Sequence, residues 1–344
     1  MAIKSGNFAP NIAYTGSQPV EFAAFPLTMY THGNDRIVAY ESMSALLEAY
    51  YAEKNTYTRI RQKSADLRKI VTTALERNQK KYQLQQKQQK DAEKREKYKL
   101  YGELINVYGY NLQDQAKELV CENFYDNNKE IRIPLDPQKT ARENSQKYFD
   151  KYGKLKRTSE ALEVQLAETK AQIDHLESIQ NSLNIALSAD DLVQIKEELM
   201  EYGFIKKHKH GKKQKIKSKP FHYISSDGYD MYVGKNNYQN DELTFKFATG
   251  NDWWFHAKKM PGSHVIVKNK GGEMPDRVFE EAGKLAGYYS SGRERDKLEI
   301  VYLHKKNVKK PAGSAPGFVV YYTNYSLTIH PDISGLTLVE SSNT

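Results

Sequence analysis

From residue 42 to residue 89 no proline or glycine interrupts the chain, and Ala, Glu, Lys, Gln, Leu and Arg dominate. These are good helix formers, so the stretch predicts one long helix. Ile60, Leu67 and Ala74 recur every seven residues, with Ser64, Val71 and Asn78 in the intervening slots, which is the spacing of a coiled-coil seam. Past Asn78 the seam turns polar at Lys81, Gln85 and Gln88, and residues 76–99 hold nine basic against four acidic side chains, so a wet, basic distal half is expected. A second helical run opens at Thr140-Ala-Arg-Glu143, which has the form of a capping box. Leu155, Leu162, Thr169, Leu176 and Leu183 then keep a heptad, joined by Leu166 and Ile173 in the alternate slots. Two helices with matching seams bury them best against each other, and an antiparallel hairpin is the expected arrangement.

The segment between the two runs is too long to be a turn. GELINVYGYNL continues helically, KELVCENFY and KEIRIPL read as strands around Asp126-Asn127-Asn128, and LDPQKT leads into the returning helix. Joining two helices takes about two to five residues, so this tip is read as a small contact-bearing insert, with plain connection as the alternative. Residues 7–26, with Pro10, Gly16, Pro19 and Pro26, read as irregular chain. Ser188-Ala-Asp-Asp191 caps a last short helix. From Pro220 the period becomes two: FHYI, the Ser226-Asp227-Gly228 turn and YDMYVG predict a hairpin, LTFKFA is ambiguous, and WWFHAK and HVIVK predict strands around Pro261-Gly262. A helix follows in DRVFEEAGKLAGYYS, and KLEIVYL, GFVVYY and SLTI complete the pattern.

The expected fold class is therefore α+β: a long antiparallel coiled-coil hairpin with a small α/β tip insert, followed by a compact α+β C-terminal domain. The expected boundaries are 1–40 for the tail of an N-terminal domain, 41–100 for the ascending helix, 101–147 for the tip and 148–204 for the returning and short helices. A lysine-rich linker over 205–219 and a globular domain over 220–335 follow.

With 344 residues, 28% of them charged and 39% hydrophobic, the chain is too polar for one compact body, while its 11% aromatic content excludes disorder throughout. Cys121 is the single cysteine and cannot form an internal disulfide, which favours the cytoplasm as the location. No apolar run of about 18 residues and no basic leader with an apolar core occurs, so neither membrane insertion nor a signal peptide is expected. The net charge of +9 is concentrated: KKHKHGKKQKIKSK, residues 206–219, contains eight lysines and no acid. Lys206, Lys207, Lys209, Lys212, Lys213 and Lys215 are candidate phosphate contacts, with a solubilising linker as the alternative.

Other candidate chemistry lies beyond Pro220. His256 and His264 flank the Met260-Pro261-Gly262 turn near Asp252 and could form a metal or acid-base site, a structural hydrogen-bonded pair or a contact surface. The spacing fits no zinc pattern, so no metal, cofactor or catalytic residue is assigned. VGKNNYQN lacks the phosphate-loop spacing, yet Lys235, Asn236 and Asn237 carry groups that meet phosphates and base edges; an amide-rich turn bonded to itself is the plainer reading. Trp253 and Trp254 must point to opposite faces of a strand, one into the core. Lys305, Lys306, Lys309 and Lys310 form a second basic cluster.

DGYDMYVGKNNYQNDELTFKFA, DWWFHAKKMPGSHVIVK, EEAGKLAGYYS and KPAGSAPGFVVYY together resemble the RNA-binding NFACT-R domain. Upstream, LYGELINVYGYNL, IPLDPQKTARENSQKYFDKYGKLK and IKEELMEYGF extend the likeness to the C-terminal half of bacterial NFACT-family proteins, whose eukaryotic relative is NEMF. The resemblance implies a non-enzymatic cytoplasmic factor of ribosome-associated quality control. Its partners would be the obstructed large ribosomal subunit, with its rRNA and proteins, and tRNA, in support of template-independent alanine tailing by the full-length protein. The family's N-terminal domain carries an Asp-Arg tRNA-binding motif, a role not assigned to Asp35-Arg36 here. Streptococcal members have also been described as adhesins, so binding of fibronectin or fibrinogen at the cell surface, reached by an unencoded route, is the alternative.

Overall fold

The structure, a computed structural model, describes residues 8–15, 18–30, 35–113, 115–206 and 218–339. Helix and antiparallel sheet are both abundant, so the class is α+β. The chain divides into two compact units, Met1–Leu75 with Asp174–Thr344, and Glu76–Ile173.

The first unit opens with three strands, β1 (Asn11–Thr15), β2 (Gln18–Ala23) and β3 (Asp35–Ala39), in the order β2-β1-β3. This corrects the expectation of irregular chain over 7–26. Pro19 is compatible with a sheet because β2 is an edge strand and its register slips by a bulge at Ala13/Tyr14, where no amide hydrogen is demanded of the proline. Helix α1 (Met43–Lys63) covers this sheet, with Leu46 and Tyr50 meeting Ile12 and Tyr14. The single long helix expected from residue 42 is interrupted: α2 (Ala65–Glu93) begins after Ser64, and α3 (Arg95–Tyr108) after Lys94. Ser64 Oγ donates to the Arg61 carbonyl at 3.1 Å and accepts from Arg68 Nε at 3.1 Å, a local side-chain competition of the kind that disturbs a helix.

Within this unit Leu67, Val71 and Leu75 are buried, as are Leu176, Ile179 and Leu183 of helix α4 (Ala141–Ile185). Arg68 Nη1 donates to Asn184 Oδ1 at 2.6 Å and Nη2 to the Leu183 carbonyl, which sets the facing register.

In the second unit Gln85 Nε2 donates to Gln165 Oε1 at 3.3 Å and Gln89 Nε2 to Ser159 Oγ at 3.0 Å, so the two helices run antiparallel there. Gln85 is buried on the seam as expected, whereas Lys81 and Gln88 are exposed, and Tyr82 and Gln89 turn inward in their place, followed by Ala92. An α-helix drifts by about 20° per heptad, which moves the inward stripe to the next position along.

The tip is a hairpin of β4 (Glu118–Asn123) and β5 (Lys129–Pro134), turned by Asn127 and Asn128 at φ 49° and 57°. Its core joins Leu119, Cys121 and Ile133 to Tyr101, Leu104 and Ile105 of α3. Glu143 N donates to Thr140 Oγ1 and Thr140 N to Glu143 Oε2, at 3.3 and 2.8 Å, which completes the capping box of α4. Helices α3 and α4 approach closely at Gly102, where an added Cβ would lie 2.8 Å from the Phe149 ring, and Ser145 Oγ donates to the Gly102 carbonyl at 3.0 Å.

After the capped helix α5 (Ala189–Glu201) come β6 (Phe221–Ile224), β7 (Asp230–Val233), the short helix α6 (Asn237–Glu242), β8 (Trp253–Ala257) and β9 (Val265–Val267). Helix α7 (Asp276–Tyr288), β10 (Leu298–His304), β11 (Tyr325–Ile329) and β12 (Thr337–Leu338) follow. The seven strands form one antiparallel sheet in the order β11-β10-β8-β9-β7-β6-β12. One face packs Phe255, Val265 and Ile300 under Val278, Ala282 and Leu285 of α7. The other buries Trp254, Ile266, Val301 and Leu303 under Leu243, Phe245 and Val308. LTFKFA is a turn of π-helix, Leu243–Phe247, and GFVVYY contributes only the isolated bridge Lys309↔Val320 rather than a full strand. Among the described residues no helix is long and apolar enough to cross a membrane.

Gly102→Ala should destabilise the tip. The methyl must displace an aromatic ring at a cost of about 1–3 kcal/mol, which exceeds the roughly 0.5–1 kcal/mol gained from helix propensity. Faster amide hydrogen exchange in β4 and β5 is the expected outcome, with slower exchange counting against a sterically limited helix contact.

Candidate nucleic-acid interface

Two segments expected at a surface lie inside the first unit. Asn236 caps α6, its Oδ1 accepting from Gln239 N at 3.0 Å while its Nδ2 donates to Gln194 Oε1 on α5 at 2.6 Å. Asn237 Nδ2 donates to Ser178 Oγ at 2.8 Å and to Glu198 Oε1 at 2.7 Å. Gln239 Nε2 reaches Gln194 and Ser218, both at 2.8 Å. Asn236 and Asn237 are 1% and 4% exposed, so neither can meet a phosphate or a base edge, which corrects their assignment as contacts. An amide both donates and accepts, so it can satisfy the polar groups that two helices and a sheet bring into one interior. Lys235 belongs to the same joint: its Nζ lies 3.4 Å from Asp191 Oδ1 and 4.5 Å from the Phe221 ring centre.

The histidines are internal too. His264 is 2% exposed, its Nδ1 2.7 Å from Thr244 Oγ1, with its ring edge-on to Trp254 and His256 at 5.1 and 5.5 Å. His256 stacks on Trp254 at 5.6 Å and keeps only a partly exposed edge. Burial holds His256 down at about 4, and burial followed by the neighbouring His256 pushes His264 well below the ordinary imidazole value. Both are thus uncharged at neutral pH and offer a phosphate no cation. Asp252 turns away to Lys268, Asn269 N at 2.9 Å and Thr249 N at 2.7 Å; burial raises its carboxyl, and these partners outweigh burial to hold it below the usual range. Among the described residues no three His, Cys, Asp or Glu side chains gather as a metal site.

The second basic cluster does form a surface. Beyond β10 the chain makes a turn of 3₁₀ helix, Lys305–Asn307, pinned by Lys305 N to the Asp252 carbonyl at 2.9 Å and Lys306 N to the Gly250 carbonyl at 3.1 Å. Val308 is buried, and Lys309 exchanges two backbone hydrogen bonds of 2.9 Å with Val320. With Val308 inward, Lys306 and Lys309 stand in solvent, and Lys305 lies with its Nζ 5.8 Å from the Phe245 ring centre. Lys310 is ion-paired to Asp241, which also accepts from Gly317 N at 2.9 Å, so its charge is partly spent internally.

Lys246, in the π-helical turn beside Phe245, is exposed as well and was not singled out from sequence. It follows Phe245, the ring that Lys305 and Lys310 approach at 5.8 and 6.0 Å. Phe318 is 53% exposed and adds an uncovered aromatic ring. Among the described residues Lys246, Lys306 and Lys309 have no acidic partner. Lys206 is exposed, while Lys207, Lys209, Lys212, Lys213 and Lys215 lie outside the described residues.

Comparison with known proteins gives two family-model matches. Residues 1–218 match the NFACT N-terminal and middle domains, and residues 219–322 the NFACT protein RNA binding domain. The chain is similar to the Rqc2 homolog RqcH of Streptococcus pneumoniae serotype 2, with 34% identity over 97% of this chain and 58% of the relative. Similarity to the Rqc2 homolog RqcH of Streptococcus suis is 37% over 90% of this chain and 55% of the relative. The chain therefore spans somewhat over half the length of these relatives. A solved structure, the C-terminal of the fibronectin/fibrinogen-binding protein from Streptococcus suis, superposes with a TM-score of 0.62 at 34% identity, covering 80% of this chain and 97% of that one.

The buried histidines predict acid sensitivity. In the unfolded chain an imidazole takes up a proton below about pH 6.5, whereas folded His256 resists until about 4. Stability is full above the unfolded value and is lost as pH falls between the two, by about 2–3 kcal/mol for this group. Urea midpoints followed by tryptophan fluorescence should fall from pH 7 to pH 4.5, and His256→Gln should flatten that dependence. An unchanged slope in the variant would assign the sensitivity to other groups.

Proposed function

The chain belongs to the NFACT family, and on that premise we propose that it is a non-catalytic, cytoplasmic RNA-binding portion of a ribosome-associated quality control factor. In the full-length protein it would engage the obstructed large ribosomal subunit and tRNA, and so support alanine tailing without a template. The observation that carries this reading is a set of lysines without acidic partners among the described residues, exposed Lys246, Lys306 and Lys309 and half-buried Lys305, around a buried hydrophobic support that includes Val308, together with the exposed ring of Phe318. Lysines at such positions neutralise backbone phosphates and release counterions, and an exposed ring offers a stacking surface. The lysine-rich residues 206–219 add charge of the same sign. The tip hairpin, with Val120, Phe124 and Tyr125 exposed, would serve as a second contact on the particle.

A second reading rests on the solved relative whose title names fibronectin and fibrinogen binding. An adhesin would recognise its protein ligand through a defined surface, with a weaker dependence on salt than a lysine-to-phosphate contact has.

Replacing Lys246, Lys305, Lys306 and Lys309 together by Gln should weaken binding of tRNA or an rRNA fragment by the full chain. The slope of log affinity against log salt should fall by up to about 2.8–3.6 if all four meet phosphates. The fold should be little affected, since three of these lysines are exposed and Lys305 is only half-buried. Unchanged RNA affinity and slope, together with loss of a saturable fibronectin interaction in a parallel titration, would replace the RNA reading by the adhesin one.

A further inference from the structure

On the α7 face of the sheet, opposite the lysines, an open hollow of about 410 Å³ lies between the first turns of α7 and strands β8, β10 and β11. Its walls are four rings, Trp253, Phe279, Tyr302 and Tyr325, two carboxylates, Asp276 and Glu280, and the side chain of Leu327. Trp253 meets Phe279 edge-on at 4.9 Å, Tyr302 stacks on Tyr325 at 5.4 Å, and Phe279 lies 5.2 Å from Tyr302. The back of the indole is already occupied by His304 at 3.8 Å, which leaves its other side toward the hollow. Tyr325 is 62% exposed, and Trp253, Phe279 and Tyr302 pack against the core while remaining half-exposed, so the hollow is open to a partner.

The charge pattern of this hollow is unusual for the domain. Elsewhere the protein covers its ring faces with its own cations: Lys235 on Phe221, Lys268 on Phe247, Lys270 on Tyr229 and Arg293 on Tyr288. Among the described residues no cation stands over any of the four rings of the hollow, and neither Asp276 nor Glu280 has an ion-pair partner. Asp276 and Glu280 are four residues apart on one helix face, where two like charges oppose each other unless something neutralises them. The helix N-terminus offsets about half a charge near Asp276 in the first turn and leaves the pair strongly negative.

We propose that this hollow docks an arginine side chain of a basic polypeptide partner. A guanidinium is planar, stacks on an indole or phenol face, and presents paired donors to a carboxylate, so rings and carboxylates together fit it better than either set does alone. Rings alone would also accept a nucleobase, but the phosphates on either side of that base would then lie against two unneutralised carboxylates. The α7 face thus takes a basic peptide, on the opposite side of the sheet from the lysine surface, and this docking does not depend on the RNA reading.

The chain has two tryptophans, Trp253 in the hollow and Trp254 fully buried on the other face, so 5-fluorotryptophan labelling of the full chain gives a reporter and an internal control. The probes are the peptide Ac-Arg-Gly-Arg-Gly-Arg-NH2, its citrulline counterpart, which keeps the shape without the charge, and hexauridylate. Titration of the arginine peptide should shift the Trp253 fluorine signal saturably while Trp254 stays in place. The citrulline peptide should bind at least tenfold more weakly, and the surface double variant Asp276→Asn with Glu280→Gln should lower affinity for the arginine peptide at least tenfold without changing the Trp254 signal. The proposal is overturned by equal binding of the two peptides, by an unmoved Trp253 signal at millimolar peptide, or by hexauridylate shifting Trp253 more strongly and gaining affinity in the double variant.

Discussion

Glu198 carries a carboxyl group with no exposure to water, and three elements of the first unit meet at one of its oxygens, Oε1, while Oε2 has no hydrogen-bond partner among the described residues. Its Oε1 lies 2.7 Å from His175 Nε2 on α4 and accepts from Asn237 Nδ2 at the start of α6. One step along, Gln194 of α5 accepts from both Asn236 and Gln239. Removing one partner from such a buried polar set leaves the rest desolvated and unpaired, which typically costs several kcal/mol. The set therefore ties α4, α5 and the sheet domain into one body, while apolar contacts such as Ile185 against the sheet core supply the non-directional part of the attraction.

That joint consumes polar groups that would otherwise face solvent, and this decides where recognition can occur. With Lys235, Asn236, Asn237 and His264 inside, the domain's recognition chemistry is left to the two outer surfaces of its sheet. One carries lysines held out by Val308 and the Lys309–Val320 bridge. The other carries rings and carboxylates beneath the N-terminal end of α7. Strand β8 supplies both at once, since adjacent Trp253 and Trp254 point to opposite faces and each anchors a different core. Opposite charge on opposite faces would let two partners of unlike chemistry be held without competing for the same side chains.

Much was legible in the sequence because it follows from local rules. The heptads of Leu162, Leu176 and Leu183, the capping boxes at Thr140 and Ser188, the hairpin around Asp126-Asn127-Asn128 and the opposed tryptophans all depend on neighbours a few residues away, and the structure contains each of them. So did the α+β class and the family likeness, which rests on long ordered stretches. Gln194 and Glu198, set among Leu192, Ile195 and Leu199 on the buried side of α5, are the signal for the polar joint that the reading from sequence missed.

What lay beyond the sequence was the partner of each such group. Asn236 and Asn237 have the same chemistry whether they meet a phosphate or a glutamate; only the return of α5 against the VGKNNYQN loop, some 40 residues later in the chain, chose the glutamate and glutamine. Pro19 reads as a strand breaker until its strand is known to be an edge, and Lys246 reads as part of an uncertain strand until it is found exposed on a π-helical turn. Periodicity and capping are properties of a segment, and the sequence alone determined them. Burial, charge pairing and the two faces of the sheet are properties of which distant segments meet, and only the tertiary structure decided those.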